Sequence, residues 1–211
     1  SQVLCAGDST QPIEFDTKNE DGTTTYAWTI DNTDIGGDDL EASGSGDIPS
    51  FVVTNDTDNA LVATIEVTPT YTNNGFSCVG NPETFTITVN PGAQVNPVPN
   101  QQICAGDSTD DITFDTSNQD GTITYAWTID NTDIGEDLEA SGSGDIPSFV
   151  VTNDTDNALV ATIEVTPTYT NNEVICTGNP ETFTITVNPL GQVDPVPSQE
   201  LWAGDSTDEI T

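Results

Sequence analysis

The sequence predicts an all-β chain built as tandem two-layer sandwiches, and three observations predict it. Threonine alternates with apolar residues along short runs, as in Thr84-Phe85-Thr86-Ile87-Thr88-Val89 and Ala63-Thr64-Ile65-Glu66-Val67-Thr68, the period-2 pattern of a half-buried strand. Turn chemistry interrupts these runs at Asp21-Gly22, Gly44-Ser45-Gly46, Asn73-Asn74-Gly75 and Asn81-Pro82, where glycine and asparagine accept the angles that reverse a chain. The whole pattern then recurs. The run from Asp39 to Asn74 reappears without a change from Asp137 to Asn172, the mark of an array.

In the first unit the expected strands are Ile13 to Asp16, Thr24 to Asp31, Ser50 to Thr54, Leu61 to Thr72 and Glu83 to Asn90. Thr, Val, Ile and aromatics dominate them, as they do on pleated, half-buried surfaces. No segment carries a 3.6-residue period of useful length. Trp28 alternates with Tyr26 and Ile30, and Trp127 repeats its setting. Apolar alternating neighbours make both core tryptophans rather than sugar-stacking platforms. Together these runs give an immunoglobulin-like sandwich in each unit.

The units are joined by Asn90-Pro91-Gly92-Ala93-Gln94-Val95-Asn96-Pro97-Val98-Pro99, and Asn188 to Pro197 repeats that pattern. Proline at alternate positions favours extended, stiff backbone, so a semi-rigid spacer is expected. The organisation is then repeat 1 over 1–91, linker 92–99, repeat 2 over 100–189, linker 190–197, and the start of a third repeat over 198–211. Gln199 to Thr211 opens that third copy, and the chain reads as a window on a longer array. No apolar run reaches membrane-spanning length and no leader pattern is present. Any export signal or anchor is expected outside this window.

One lysine, Lys18, faces 36 acidic residues, for a formal net charge of -35. Nothing here neutralises phosphates, which argues against nucleic-acid binding. Such charge keeps neighbouring molecules apart and opposes compaction at low salt. Catalysis is not expected: the same acids occur in both units, without histidine, and nothing marks a carboxylate pair whose pKa values are pulled apart. Lys18 stands opposite Ser117 in the second copy, so an isopeptide cross-link that stiffens every repeat is not expected either.

Two features carry candidate chemistry. Acid-rich loops hold Asp31, Asp34, Asp38, Asp39, Asp56 and Asp58, repeated as Asp130, Asp133, Asp137, Asp154 and Asp156. Hard oxygen donors in loops suit Ca²⁺, although neither loop has the EF-hand pattern; solvated acidic turns are the competing reading. Cys5 and Cys78 fall in the first unit, Cys104 and Cys176 in the second. Two per small domain suit one disulfide per domain outside the cytoplasm. A closed loop of roughly 70 residues would contribute about 4 kcal/mol in the chain-entropy model. Zinc is a poor competitor without histidine or a C-x-x-C pair. The third copy has Trp202 at the Cys5 and Cys104 position.

The ordered set Cys5-x-Gly7, Tyr26-x-Trp28, Ala42-Ser43-Gly44-x-Gly46-x-Ile48, Ala63-Thr64-Ile65-x-Val67-Thr68-Pro69, Cys78-x-Gly80-x-Pro82 and Thr84-Phe85-Thr86-Ile87-Thr88-Val89-Asn90-Pro91 resembles the PKD-like repeats of very large Bacteroidetes surface proteins, gliding-motility adhesins among them. The resemblance covers both units and the opening of the third. It implies a β-sandwich repeat, type IX secretion, and display on the outer membrane as a long extracellular filament. It also implies one intradomain disulfide per repeat, Cys5–Cys78 and Cys104–Cys176. Asp-Ser-Thr at Ser9, Ser108 and Ser206 fits the short O-glycosylation signal associated with those bacteria; a plain turn serine fits as well. Asn55-Asp56-Thr57 fits the N-glycan sequon, a route the resemblance disfavours.

The function this sequence points to is a structural and adhesive repeat segment of a cell-surface filament. Its expected partners are extracellular surfaces or polysaccharides, neighbouring repeats, and other filaments. A carbohydrate-binding accessory module would expose an aromatic strip on each unit. A self-assembling filament subunit would polymerise as isolated fragments.

Overall fold

The computed structural model describes residues 1–196, 198–204 and 206, and of Asp38 and Asp39 the backbone only. The chain is all-β, as expected. In repeat 1 the strands are β1 (Gln2–Cys5), β2 (Thr23–Ile30), β3 (Ser43–Ser45), β4 (Leu61–Asn73), β5 (Phe76–Val79) and β6 (Glu83–Asn90). They form one sheet in the order β1-β6-β4-β2-β3, with β5 pairing to the end of β4. Repeat 2 builds the same sheet from β7 (Gln101–Cys104), β8 (Thr122–Ile129), β9 (Ser141–Ser143), β10 (Leu159–Asn171), β11 (Val174–Thr177) and β12 (Glu181–Asn188).

The second layer is thinner. Its segments meet through isolated bridges, Ser9 with Val52 and Ile13 with Ile48 in repeat 1. Between the layers lies a core of Trp28, Ile30, Ile65, Val67, Ile87 and Val89 from the sheet, closed by Ile35, Ile48 and Val53. The alternation read in the sequence drives this: apolar residues on one side of each strand lose water, and each buried side chain contributes about 1.5–3 kcal/mol.

Three strands lay outside the expected set. β3 is Ser-Gly-Ser, with no strand propensity; it pairs because Gly44, opposite Trp28, leaves room for the indole. A Cβ on Gly44 would collide with Trp28 Cζ2, and one on Gly142 with Trp127 Cζ2. Trp28 Nε1 then donates to the Gly46 carbonyl at 3.0 Å. β1 and β5 are only four residues each, too short for periodicity to show. Conversely, 13–16 and 50–54 reduce to single bridges, Ile13 with Ile48 and Val52 with Ser9.

The 13-residue strands β4 and β10 run the length of each repeat and give it two poles. In repeat 1 Leu61 pairs with Val89 near the lower pole, and Tyr71 with Cys78 at the upper. β1 runs parallel to β6 and ends at the lower pole, with Cys5 beside Asn90. Leu61 to Tyr71 spans roughly 33 Å at about 3.3 Å per residue. That separation decides the disulfides.

Candidate functional site: the joint between repeats

Cys5 sits at the lower pole of repeat 1 and Cys78 at its upper pole. A disulfide needs Cα atoms within about 7 Å, so the intradomain bridge Cys5–Cys78 is geometrically excluded, and Cys104–Cys176 fails for the same reason. The observed bond is Cys5–Cys176, with Cα atoms 5.6 Å apart. It joins the lower pole of repeat 1 to the upper pole of repeat 2. Cys78 and Cys104 are exposed free thiols. The expectation of one bridge inside each repeat is therefore corrected to one bridge between them. The stabilisation assigned to a loop within each repeat goes with it.

The joint around this bond is close-packed. Ala93, Tyr169 and Cys176 are buried together, with Cys5, Ile123 and Val174 against them. Gly178 admits the Ala93 carbonyl where a Cβ would clash. Four hydrogen bonds cross or flank the seam. Gln119 N donates to the Asp58 carbonyl at 2.8 Å. Asn90 Nδ2 donates to the Asn171 carbonyl at 3.3 Å. Tyr169 Oη donates to the Gln119 carbonyl at 3.0 Å and accepts from Asn171 Nδ2 at 3.3 Å. Burial is the main cause that pushes the Tyr169 phenol above its ordinary value, with Asp120 adding to it and the Asn171 hydrogen bond opposing.

The linker is no free spacer. Gln94 N donates to Asn118 Oδ1 at 2.7 Å, Asn118 Nδ2 to the Gly92 carbonyl at 3.1 Å, and Asn96 N to the Asp115 carbonyl at 2.8 Å. Ser117 Oγ donates to Asn96 Oδ1 at 3.3 Å. Val95 and Val98 pack against the core cluster that contains Phe114 and Trp127. The linker thus becomes part of repeat 2. Tyr125, beside Phe114 with ring centroids 5.4 Å apart, has its phenol raised chiefly by burial and next by Asp115.

The acidic candidates are placed individually, not as a cluster. Asp31 Oδ1 accepts from Thr64 N at 2.7 Å, and Asp130 Oδ1 from Thr162 N at 2.7 Å; each pins a strand end. Asp34 and Asp133 lie exposed on short 3-10 segments. Asp56, Asp137 and Asp154 are exposed; Asp58 offers its carbonyl to the joint; Asp156 Oδ1 accepts from Gln192 Nε2 at 3.3 Å. The side chains of Asp38 and Asp39 lie outside the described residues. Among the described residues no three metal-ligating side chains converge.

Asn55 is committed to structure: Nδ2 donates to the Asn59 and Val89 carbonyls, both at 2.8 Å, and Oδ1 accepts from Thr57 N and Oγ1. Ser9, Ser108 and Ser206 are exposed. Trp28 and Trp127 are buried, as the alternation indicated. Sequence reasoning missed Ala93, Asn118, Tyr169 and Asn171. The available signal was the doubled cysteine at opposite ends of a long strand.

A model of the PKD-like domain matches residues 2–93 and again 101–191. The chain belongs to the PKD-like domain family. No curated protein matches it. Among solved structures it is similar to a SusE-like, surface-located polysaccharide-binding protein of Bacteroides thetaiotaomicron, at 13% identity and a TM-score of 0.30, covering 89% of this chain and 32% of that one. It is similar also to the titin I-band fragment I67–I69, at 10% identity and a TM-score of 0.40, covering 89% and 62%. The surface layer protein SbsC matches at 13% identity and a TM-score of 0.29, covering 84% and 21%. The chain thus spans from a fifth to under two-thirds of these structures, and at such distances the likeness says nothing about ligands.

Proposed function

We propose that this chain is a non-enzymatic rod segment of a bacterial surface filament, displayed outside the cell, that carries tension and separates a binding end from its anchor. The observation that carries this reading is the Cys5–Cys176 bond across the joint. Tension applied at the two ends enters at β1 and leaves past β12. The covalent path then runs from Cys5 straight to Cys176, and the loop between them bears no force. The two cysteines are 171 residues apart in sequence. At roughly 3.4 Å per extended residue, on the order of 600 Å of chain is hidden behind one bond. Tied this way, the two repeats can lengthen only by the short stretch after Cys176 that carries β12.

With the bond reduced, the parallel β1–β6 pairing would take the load with its hydrogen bonds in shear along the same axis. The negative surface keeps neighbouring rods apart. Export by the type IX route, outer-membrane display, attachment to surfaces or polysaccharides, and service in gliding belong to this proposal through the family resemblance. An accessory carbohydrate module is not favoured, because Trp28 and Trp127 are buried and no aromatic strip recurs on both units among the described residues.

Stretching single molecules between their termini tests the reading. Oxidised chain should extend only by the short stretch after Cys176 as β12 is drawn out. Reduced chain, or the Cys5→Ser variant, should lengthen on the order of 600 Å as both repeats open. Equal lengthening in both states would overturn it.

A further inference from the structure

The β4–β5 and β10–β11 turns are copies of one another, with one change that bears on covalent chemistry. Asn73-Asn74-Gly75-Phe76 in repeat 1 becomes Asn171-Asn172-Glu173-Val174 in repeat 2, and Asn74-Gly75 is the sole Asn-Gly pair in the sequence. Asn73 pairs with Phe76, and Asn171 with Val174, so two residues close each turn. All four turn residues take left-handed angles: Asn74 at φ 49, Gly75 at φ 86, Asn172 at φ 48 and Glu173 at φ 65. The backbone is shared, and the side chain after the asparagine is what differs.

Asn74 and Gly75 are exposed, and a Cβ built on Gly75 would meet nothing within 4 Å. Asn172 and Glu173 are exposed as well, although the joint lies beside them, where the Asn171 carbonyl accepts from Asn90 Nδ2 at 3.3 Å. A repeat docked against this pole leaves the turn open, so its exposure is a property of the hairpin. Among the described residues neither the Asn74 carboxamide nor the Gly75 N–H is hydrogen-bonded. The neighbouring Asn73 differs, since its Nδ2 donates to Tyr71 Oη at 3.2 Å.

A free carboxamide followed by a free, unhindered amide nitrogen is arranged for cyclisation. Gly75 N attacks Asn74 Cγ; the new N–Cγ bond forms as the side-chain nitrogen leaves as ammonia. Water then opens the cyclic imide. Opening at one carbonyl gives aspartate, and opening at the other routes the main chain through the side-chain carboxyl as isoaspartate. One water enters and one ammonia departs, with no oxidant or reductant. Glycine, without a Cβ, permits the rotation this needs, and local opening of a turn that packs against nothing supplies it. In repeat 2 the Glu173 side chain crowds the same attack.

We infer that Asn74 is a site of spontaneous deamidation, with water as the only co-reactant, and that Glu173 protects its copy Asn172. The reaction puts a further negative charge at the tip of the β4–β5 hairpin. Its isoaspartate product also adds a methylene to a turn of two residues. β5, which carries Cys78, is held by its pairing to β4, so the longer turn loosens that strand. β11, which carries the bonded Cys176, follows the protected turn. The side chain that strains the backbone at Glu173 thus keeps the strand of the joint chemically intact.

The test ages the oxidised full-length chain at mildly alkaline pH and maps both turns in the same molecules by mass spectrometry. Gly75-Phe76 and Glu173-Val174 tell the two peptides apart. Asn74 should convert to a mixture of aspartate and isoaspartate roughly tenfold or more faster than Asn172, about 1.4 kcal/mol of barrier. Gly75→Glu should slow Asn74 to the rate of Asn172, and Glu173→Gly should bring Asn172 to the rate of Asn74. Each variant gives one repeat the turn with which the other already folds. Hydrogen exchange on aged chain should show lost protection in β5 with β6 unchanged. Equal rates at the two asparagines, aspartate without isoaspartate at Asn74, or rates indifferent to the exchange of Gly75 and Glu173 would each overturn the inference. Unchanged protection in β5 after conversion would overturn the loosening of that strand.

Discussion

Glu173 occupies the left-handed region at φ 65 in the turn between β10 and β11, where repeat 1 has Gly75 at φ 86. With Asn172 at φ 48 and Asn74 at φ 49 before them, both are two-residue hairpin turns that need positive φ at each position. A side chain there costs about 1 kcal/mol that glycine avoids. Glu173→Gly should therefore raise the stability of repeat 2 by about 0.5–1 kcal/mol in denaturant melts, and Gly75→Glu should lower that of repeat 1 similarly. The opposite sign is expected at Gly142. Alanine there meets the Trp127 ring, so Gly142→Ala should cost about 1–3 kcal/mol and perturb tryptophan fluorescence. Asn74-Gly75 was legible as a turn from its letters. That Gly44 and Gly142 exist to admit an indole was not, because the partner is distant in sequence.

At the scale of elements, the long strands β4 and β10 were legible end to end, since alternation over that length has one reading. β1, β3 and β5 were not, because each pairs through a neighbour's need rather than its own propensity. The same strands set the pH response of the joint. Tyr169 Oη, at the end of β10, is a buried donor with a raised pKa. An acid whose folded pKa lies above its unfolded value stabilises the fold below the unfolded pKa. That contribution disappears as pH rises through the folded one. The joint should accordingly loosen above about pH 10, the ordinary tyrosine value, with phenolate absorbance and interdomain scattering changing together. Tyr169→Phe should remove that pH dependence and cost about 1 kcal/mol from the lost hydrogen bond.

Over the whole molecule, a net charge of -35 meets one lysine, so self-repulsion is global. Rising ionic strength should raise the melting temperature of both repeats. Calcium and magnesium at matched ionic strength should act alike, because no three ligating side chains converge among the described residues. A saturable rise specific to calcium would point instead to an ordered site. Breaking the bond with Cys176→Ser should lower the melting temperature of both repeats, because the 171-residue loop it closes holds the unfolded chain of either repeat against its folded neighbour. Small-angle scattering should then show the joint bending.

By itself the sequence determined the sandwich, the repeat, the buried tryptophans and the charge, because each follows from local alternation, turn residues and counting. It also showed that four cysteines recur in register. Only the tertiary structure decided how they pair. Two cysteines about seventy residues apart look like one loop on paper; a straight 13-residue strand holds them at opposite poles. The nearest thiol in space belongs to the next repeat. Pairing is a matter of distance, and distance across a sheet is set by strand length and register.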